Sequence, residues 1–259
     1  VSTATAEHTG WITGQWHPDE CALQLEVSAG LLKALPSVVR KVRAWFDLDA
    51  DPAAIHSVLQ HDFPSGDDFR VPGCLDGFEL AVRAILGQQV TVAAARTIAA
   101  RLVHRWGDTL ATHAGMPSRL FPTPQALALA DEDVMGSIGI VRQRQRAIKS
   151  LAQALVSGQI DLNASSDCVQ TVQALQALPG IGPWTAQYIA MRALRNPDAW
   201  PEGDVAIHKL LGLDQPRSLA ARREANRMAE AWRPWRSYAV TRIWAGAFHP
   251  TITSQPHTP

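Results

Sequence analysis

Two stretches of this chain carry residue types whose spacing could do chemistry. The first is Leu178-Pro179-Gly180-Ile181-Gly182-Pro183-Trp184-Thr185. Its two glycines can take positive φ and put no Cβ in the way of an approaching group. Pro183 then opens a helix whose first amides have no intrahelical partner. Free amides at the positive end of a helix dipole form a site for phosphate or another large anion. The alternative is a plain helical corner, because glycines commonly serve turns. The second stretch is Pro201-Glu202-Gly203-Asp204-Val205, in which Asp204 stands immediately before an apolar helix. A carboxylate there is either an N-cap accepting from the first helical amides or a group that stabilises developing positive charge.

Helical periodicity surrounds the glycine turn. Val172, Leu175 and Leu178 are apolar before it, and Ile189, Met191 and Leu194 after it, so the turn joins two helices. Further upstream, Phe78–Leu86 reads as a strongly apolar helix. Gly87-Gln88-Gln89 breaks it, and Thr91 starts a second helix that reaches about Trp106. Gly115, Pro117 and Pro122 mark 107–123 as a loop. Helices are then expected over 124–130, 131–137, 142–157, 167–178, 184–195, 204–212, 218–231 and 237–248, with a frayed tail after Pro250. The N-terminal part differs. Gly10–Thr13 and the alternating Ala22–Val27 read as short strands, and Ser28 is placed to cap a helix from about Leu31 to Phe46. A short helix near Ala53–His61 and a loop over 64–68 follow. From Pro72 onward no convincing strand is read.

The chain has 259 residues, 46% of them hydrophobic, enough for one large or two modest cores. No apolar run approaches the ~20 residues of a membrane span, and the first residues form no secretory signal. The chain opens on Val1 without Met, which points to a processed, trimmed or fused chain. Cys21, Cys74 and Cys168 are odd in number and far apart, so no disulfide framework is expected and a reducing, cytoplasmic location is. The 9 His show no HExxH-like ligand spacing, which disfavours a metalloenzyme. Net charge is zero, but its distribution is polarised. Charges from Asp47 to Glu79 are acidic except Arg70, while Arg217, Arg222, Arg223, Arg227, Arg233, Arg236 and Arg242 dominate the C-terminal part. A basic face there would suit a nucleic-acid partner.

The Leu-Pro-Gly-Ile-Gly pattern followed by Thr185-Ala186 resembles the helix-hairpin-helix element of the DNA base-excision glycosylases. Four further motifs narrow this resemblance: Val71-Pro72-Gly73-Cys74-Leu75-Asp76-Gly77-Phe78-Glu79, Arg83-Ala84-Ile85-Leu86-Gly87-Gln88, Phe121-Pro122-Thr123-Pro124 and Trp232-Arg233-Pro234-Trp235-Arg236-Ser237-Tyr238-Ala239. Together they are similar to the bacterial inducible 3-methyladenine DNA glycosylases, over a span of about 20–250. The resemblance implies a mainly α helix-hairpin-helix glycosylase fold with a small, shortened N-terminal α+β subdomain at 1–50. An all-α domain over 51–259 would follow, divided into a six-helix part at 78–196 and a second helical part from 51–77 plus 197–259. The rest of the N-terminal subdomain would be absent or removed with a fused upstream module.

What the resemblance implies about function is specific. The partner is double-stranded DNA carrying alkylated bases, bound by a monomer in the cytoplasm without membrane contact. Asp204 is the catalytic carboxylate, with Glu202 nearby but out of register. Trp184, Tyr188 and Trp244 line the pocket for the extruded base, although by residue type alone Trp244 reads as a buried core aromatic. Gly180, Gly182 and Thr185 bind a DNA phosphate. Gln89 occupies the position of the side chain that fills the hole left by the flipped base, where a plain polar turn is the alternative. Bifunctional relatives carry a hairpin lysine where Trp184 stands, so a monofunctional enzyme is implied. No Cys follows Cys168, so no iron–sulfur cluster is expected. The carbonyls of Gln176, Leu178 and Gly180 would hold a structural sodium or potassium ion, with no cofactor for catalysis. The rivals are a glycosylase for deaminated or oxidised bases and a non-catalytic DNA-binding hairpin module.

Overall fold

The protein is described here by a computed structural model covering residues 2–4, 8–110 and 118–248. The expected frayed tail, and residues 111–117 of the expected loop, lie outside the described residues.

Strands β1 (Ser2–Ala4), β2 (Thr9–His17) and β3 (Ala22–Val27) form an antiparallel sheet in that order, with Ile12 opposite Val27 and Trp16 opposite Leu23. The next segment departs from the expected single helix. A 3-10 turn runs over Ala29–Ala34, and α1 (Leu35–Trp45) begins only afterwards. Pro36 is the reason: a proline is accommodated in the first turn of an α-helix and not in its interior. Ser28 does not cap either piece. Its hydroxyl accepts from the Trp11 amide at 3.0 Å, tying the turn to β2. Ile12, Leu31, Val38 and Val42 give this part its own small apolar core.

The remainder is helical: α2 (Pro52–Leu59), α3 (Gly77–Leu86), α4 (Val92–Trp106), α5 (Pro124–Ala128), α6 (Glu132–Ser137), α7 (Arg142–Val156), α8 (Cys168–Ala177), α9 (Pro183–Arg192), α10 (Val205–Leu210), α11 (Leu219–Ala229) and α12 (Arg236–Trp244). The bridge between Thr109 and Arg119 is the one β-type pairing among the described residues after Pro72. Side chains from Ile55 to Ile243 share one apolar core, which includes Ile85, Leu86, Ile148, Leu151, Leu175, Ile189 and Ile207. Trp232 is fully buried and its indole donates to Asp62 at 2.7 Å; Trp235 packs edge-on against Tyr238. Both serve packing.

Asp47 joins the N-terminal part to this body. It is buried, sits at φ 53°, and accepts from the Tyr238 hydroxyl at 2.8 Å and the Val71 amide at 3.2 Å, with Arg195 at 3.5 Å. Burial, reinforced by the Asp47 carboxylate, pushes the Tyr238 phenol well above its usual range.

Candidate active site

Helices α8 and α9 meet at a tight turn over 178–182, and the two glycines in it do different work. Gly180 is at φ +79°, a left-handed conformation that side chains disfavour. A Cβ there would lie 3.0 Å from that of Ala147, so the turn packs directly on α7. Gly182 is the N-cap of α9 at φ −85°, an ordinary conformation, and a Cβ would meet nothing within 4 Å. It faces open space. No side chain caps α9, and Pro183 occupies its first turn, so the Trp184 and Thr185 amides have no side-chain cap.

The Thr185 side chain does not face the same way. It is buried, and its hydroxyl accepts from Gln88 Nε2 at 3.0 Å. The expected anion contact from Thr185 therefore reduces to its backbone amide. Gln88 Nε2 also donates to the Gly180 carbonyl at 3.0 Å, and Arg144 of α7 donates to the Gln88 carbonyl. One glutamine thus locks the loop between α3 and α4 onto both arms of the hairpin. Gln89, next in sequence, is exposed at the tip of that loop with φ 55°. A non-glycine residue held in the left-handed region is strained, and such positions concentrate at functional loops.

Of the carbonyls considered for a cation, Gln176 lies in the last turn of α8, where helical carbonyls lose their partners. The Leu178 carbonyl accepts from the Ile181 amide at 3.3 Å and that of Gly180 from Gln88. Each carbonyl has a second lone pair, so this donor set of neutral oxygens fits a monovalent cation.

Asp204 separates from the other capping aspartates on two counts. Asp51, Asp76, Asp131 and Asp167 also cap helices, and all four are exposed, whereas Asp204 is 8% exposed. Its Oδ1 accepts from the Ala206 and Ile207 amides at 2.8 and 2.9 Å, as an N-cap should. Its Oδ2 accepts from the Trp184 indole N–H at 2.8 Å, across from the hairpin helix. The carboxylate is therefore fixed from two elements. Glu202 points elsewhere: it pairs with Arg222 at 2.8 Å and with Asn226, and these partners hold its carboxyl below the usual range.

Trp184 and Tyr188, one turn apart on α9, stack at 5.3 Å and 7°, and Trp244 at the end of α12 lies 6.4 Å from Tyr188. These three rings and Asp204 line one cavity of about 520 Å³, whose remaining wall is mostly apolar. Sequence reasoning missed three contributors. Arg83 and Arg96 also border the cavity, and Arg192 stands 5.6 Å over the Tyr188 ring and donates to its hydroxyl at 3.2 Å. The i,i+4 spacing of Tyr188 and Arg192 was a usable signal. Arg83 is pulled toward Glu79, 2.7 Å away on the same helix.

The expected basic C-terminal face is largely neutralised. Arg222 pairs with Glu202, Arg227 with Glu224, Arg233 with Asp198 and Glu230, and Arg236 with Asp198. Arg242 is fully buried. Two of these partners, Glu224 and Glu230, lie within the run itself, and two, Asp198 and Glu202, come from an earlier segment. Among the described residues no helix is long and apolar enough to cross a membrane, and no cluster of acidic, histidine or cysteine side chains is arranged to hold a metal.

The profile described as the HhH-GPD superfamily base excision DNA repair protein matches residues 82–237, and that of the AlkA N-terminal domain matches 2–76. The chain is 35% identical to DNA-3-methyladenine glycosylase 2 of Escherichia coli over 94% of this chain and 83% of that protein. It is 38% identical to a probable bifunctional transcriptional activator/DNA repair enzyme AlkA of Mycobacterium tuberculosis, over 89% of this chain and 46% of the longer protein. In fold it is similar to a 3-methyladenine DNA-glycosylase from Archaeoglobus fulgidus, with a TM-score of 0.78 at 18% identity over 95% of this chain and 85% of the other.

Proposed function

The chain belongs to the HhH-GPD superfamily of base excision DNA repair proteins, and we propose that it is a monofunctional DNA glycosylase that excises alkylated purines from duplex DNA. The observation that carries this reading is Asp204, a buried carboxylate bordering a cavity walled by Trp184, Tyr188 and Trp244. Its substrates would include 3-methyladenine, the base in the name of its Escherichia coli relative, and 7-methylguanine, which is cationic in the same way.

The chemistry follows from the residues. A purine alkylated at a ring nitrogen is cationic, so its glycosidic bond is already weakened and the base needs no protonation to leave. What the reaction requires is stabilisation of positive charge growing on the sugar, as in other oxocarbenium-like glycoside cleavage. Asp204 supplies one negative charge, oriented by two amides and an indole before the reaction begins. It either stabilises that charge directly or positions the attacking water. The target base must first leave the stack. In the cavity a cationic base gains ~0.5–2 kcal/mol per aromatic face it meets. Arg192, by donating to Tyr188, keeps one of those faces in place.

The hairpin would hold the duplex by one phosphate, on the amides that follow Gly182, which positions the protein without reading sequence. A sodium or potassium ion on the carbonyls of Gln176, Leu178 and Gly180 would add positive charge beside that phosphate. Gln89 would enter the gap left by the flipped nucleotide, where its amide can pair with the orphaned base; as a wedge it is weaker than an apolar side chain. The hairpin offers no amine where Trp184 stands, so the product is an intact strand with an abasic site. We take the protein to act as a cytoplasmic monomer on chromosomal DNA.

The test is base release from methylated duplex DNA, with strand nicking scored before and after alkali. Release of methylpurines with nicks appearing only after alkali is expected. Nicks before alkali would reject the monofunctional reading. Release of hypoxanthine or 8-oxoguanine in preference to methylpurines would assign the site to another lesion class, and DNA binding without any release would leave a binding module.

A further inference from the structure

The hairpin and its amides account for one phosphate, but they do not explain α7. That helix carries Arg142, Arg144, Arg146 and Lys149 and no acidic residue. It lies against the hairpin: the position a Gly180 Cβ would take is 3.0 Å from Ala147 Cβ and 3.5 Å from the Gln143 carbonyl. Arg144 is committed to the Gln88 carbonyl in the loop that bears Gln89, and Lys149 approaches Glu132 at 3.5 Å. Arg142 and Arg146 are left. They sit one turn apart, both are exposed, and neither makes an ion pair among the described residues. Val141 provides no side-chain cap, so the first amides of the 15-residue helix have no side-chain partner either. This contrasts with the C-terminal arginines, most of which have carboxylate partners.

We propose that Arg142 and Arg146 form a second phosphate grip, binding the duplex backbone on phosphates that flank the one held by the hairpin. The proposal rests on the duplex-DNA reading above. Two unpaired guanidiniums on a helix fixed to both the hairpin and the Gln89 loop are positioned by rigid structure, and the partner they suit is a row of phosphates. They read no base, so their contribution is independent of sequence and of the lesion.

The experiment measures duplex affinity as a function of salt for the parent, R142Q/R146Q and R142K/R146K. Each phosphate neutralised by a side-chain cation contributes about 0.9 to the slope of log K against log salt, so R142Q/R146Q is expected to lose about 1.8 of slope and R142K/R146K to keep it. Both substitutions are on the surface, so the melting temperature stays at the parent value. Neither residue lines the cavity, so any change in base release should follow the change in duplex affinity. A parent slope retained in R142Q/R146Q, with duplex binding intact, overturns the grip and leaves the glycosylase reading standing. Loss of slope in the lysine variant as well overturns it too, by tracing the effect to structure and not charge. A parent that binds no duplex at all removes the reading beneath it.

Discussion

Substituting the two hairpin glycines by alanine, one at a time, should separate a folding role from a binding role. At Gly180 the backbone is at φ +79°, and the new Cβ would stand 3.0 Å from that of Ala147. Left-handed backbone costs a non-glycine residue about 1–2 kcal/mol, and α7 must also yield by a few tenths of an ångström. A total of about 1–3 kcal/mol corresponds to a fall in Tm of roughly 3–10 °C for a chain of this size. At Gly182 the backbone is ordinary and the space is open. There Gly182→Ala is expected to leave Tm unchanged or raise it slightly, since restricting the unfolded chain is worth about 0.4–1 kcal/mol. The methyl would occupy the space a phosphate must enter to reach the amides of α9. Hydrogen bonds to a charged partner are worth about 1.5–3 kcal/mol, so duplex Kd should weaken by roughly 10- to 150-fold. Thermal melting and fluorescence anisotropy on a short duplex check both arms. A Gly182→Ala protein that melts like the parent and binds DNA equally well would refute the idea that the backbone approaches a phosphate here.

Three further outcomes follow from the packing. Arg242 is fully buried and none of its guanidinium nitrogens has a hydrogen-bond partner; the Phe63 ring 6.0 Å away and the Asp67 and Asp68 charges compensate it only in part. Replacing such a charge by an apolar group of similar length is often neutral or stabilising by about 1–4 kcal/mol, so Arg242→Met should hold or raise Tm; a clear fall would reveal a partner for the guanidinium. Tyr238→Phe removes the hydroxyl that donates to Asp47 at 2.8 Å and should cost about 1.5–3 kcal/mol in denaturant unfolding, whereas an unchanged midpoint would mean the bond contributes nothing. Burial, with Asp76 nearby, raises the Cys74 thiol from 9.0 to about 12. Thiol labelling at pH 8 should therefore modify exposed Cys21 well before Cys74. Because the folded value is the higher one, the contribution to stability is complete below pH 9 and is lost as pH rises from 9.0 toward about 12; equal labelling rates would contradict this.

The parts of the site legible in the sequence are those fixed locally. The Pro-Gly-Ile-Gly turn announces itself because positive φ and helix punctuation are short-range demands, and Asp204 because a carboxylate before an apolar helix is a local pattern. What distinguishes Asp204 from four other capping aspartates is its burial and the Trp184 indole on Oδ2, and these exist only once α9 and α10 pack together. The same limit explains the misses. Nothing in Gly87-Gln88-Gln89 says that Gln88 will reach Gly180 and Thr185, more than ninety residues away. Nothing local says that the Thr185 hydroxyl turns inward. The C-terminal arginines read as a basic face because Asp198 and Glu202, which neutralise several of them, lie on another segment. The fold was easier: helix boundaries fall close to the apolar periodicity, and the 3-10 turn before α1 traces to Pro36, although strand β1 is not among the expected strands and β2 runs to His17, beyond the expected Gly10–Thr13.

The central claim is that Asp204 performs the chemistry and does not merely cap α10. Single-turnover release of methylpurines from alkylated duplex DNA, measured for the parent and Asp204→Asn, tests it most directly. Asparagine is as good an N-cap as aspartate, so folding and duplex affinity should be retained. Losing the charge should slow release by about 100- to 1,000-fold, the scale of removing one electrostatic stabiliser from a preorganised site. Release by Asp204→Asn at the parent rate, with the cap and the duplex affinity intact, would contradict the account and move the chemistry to another residue.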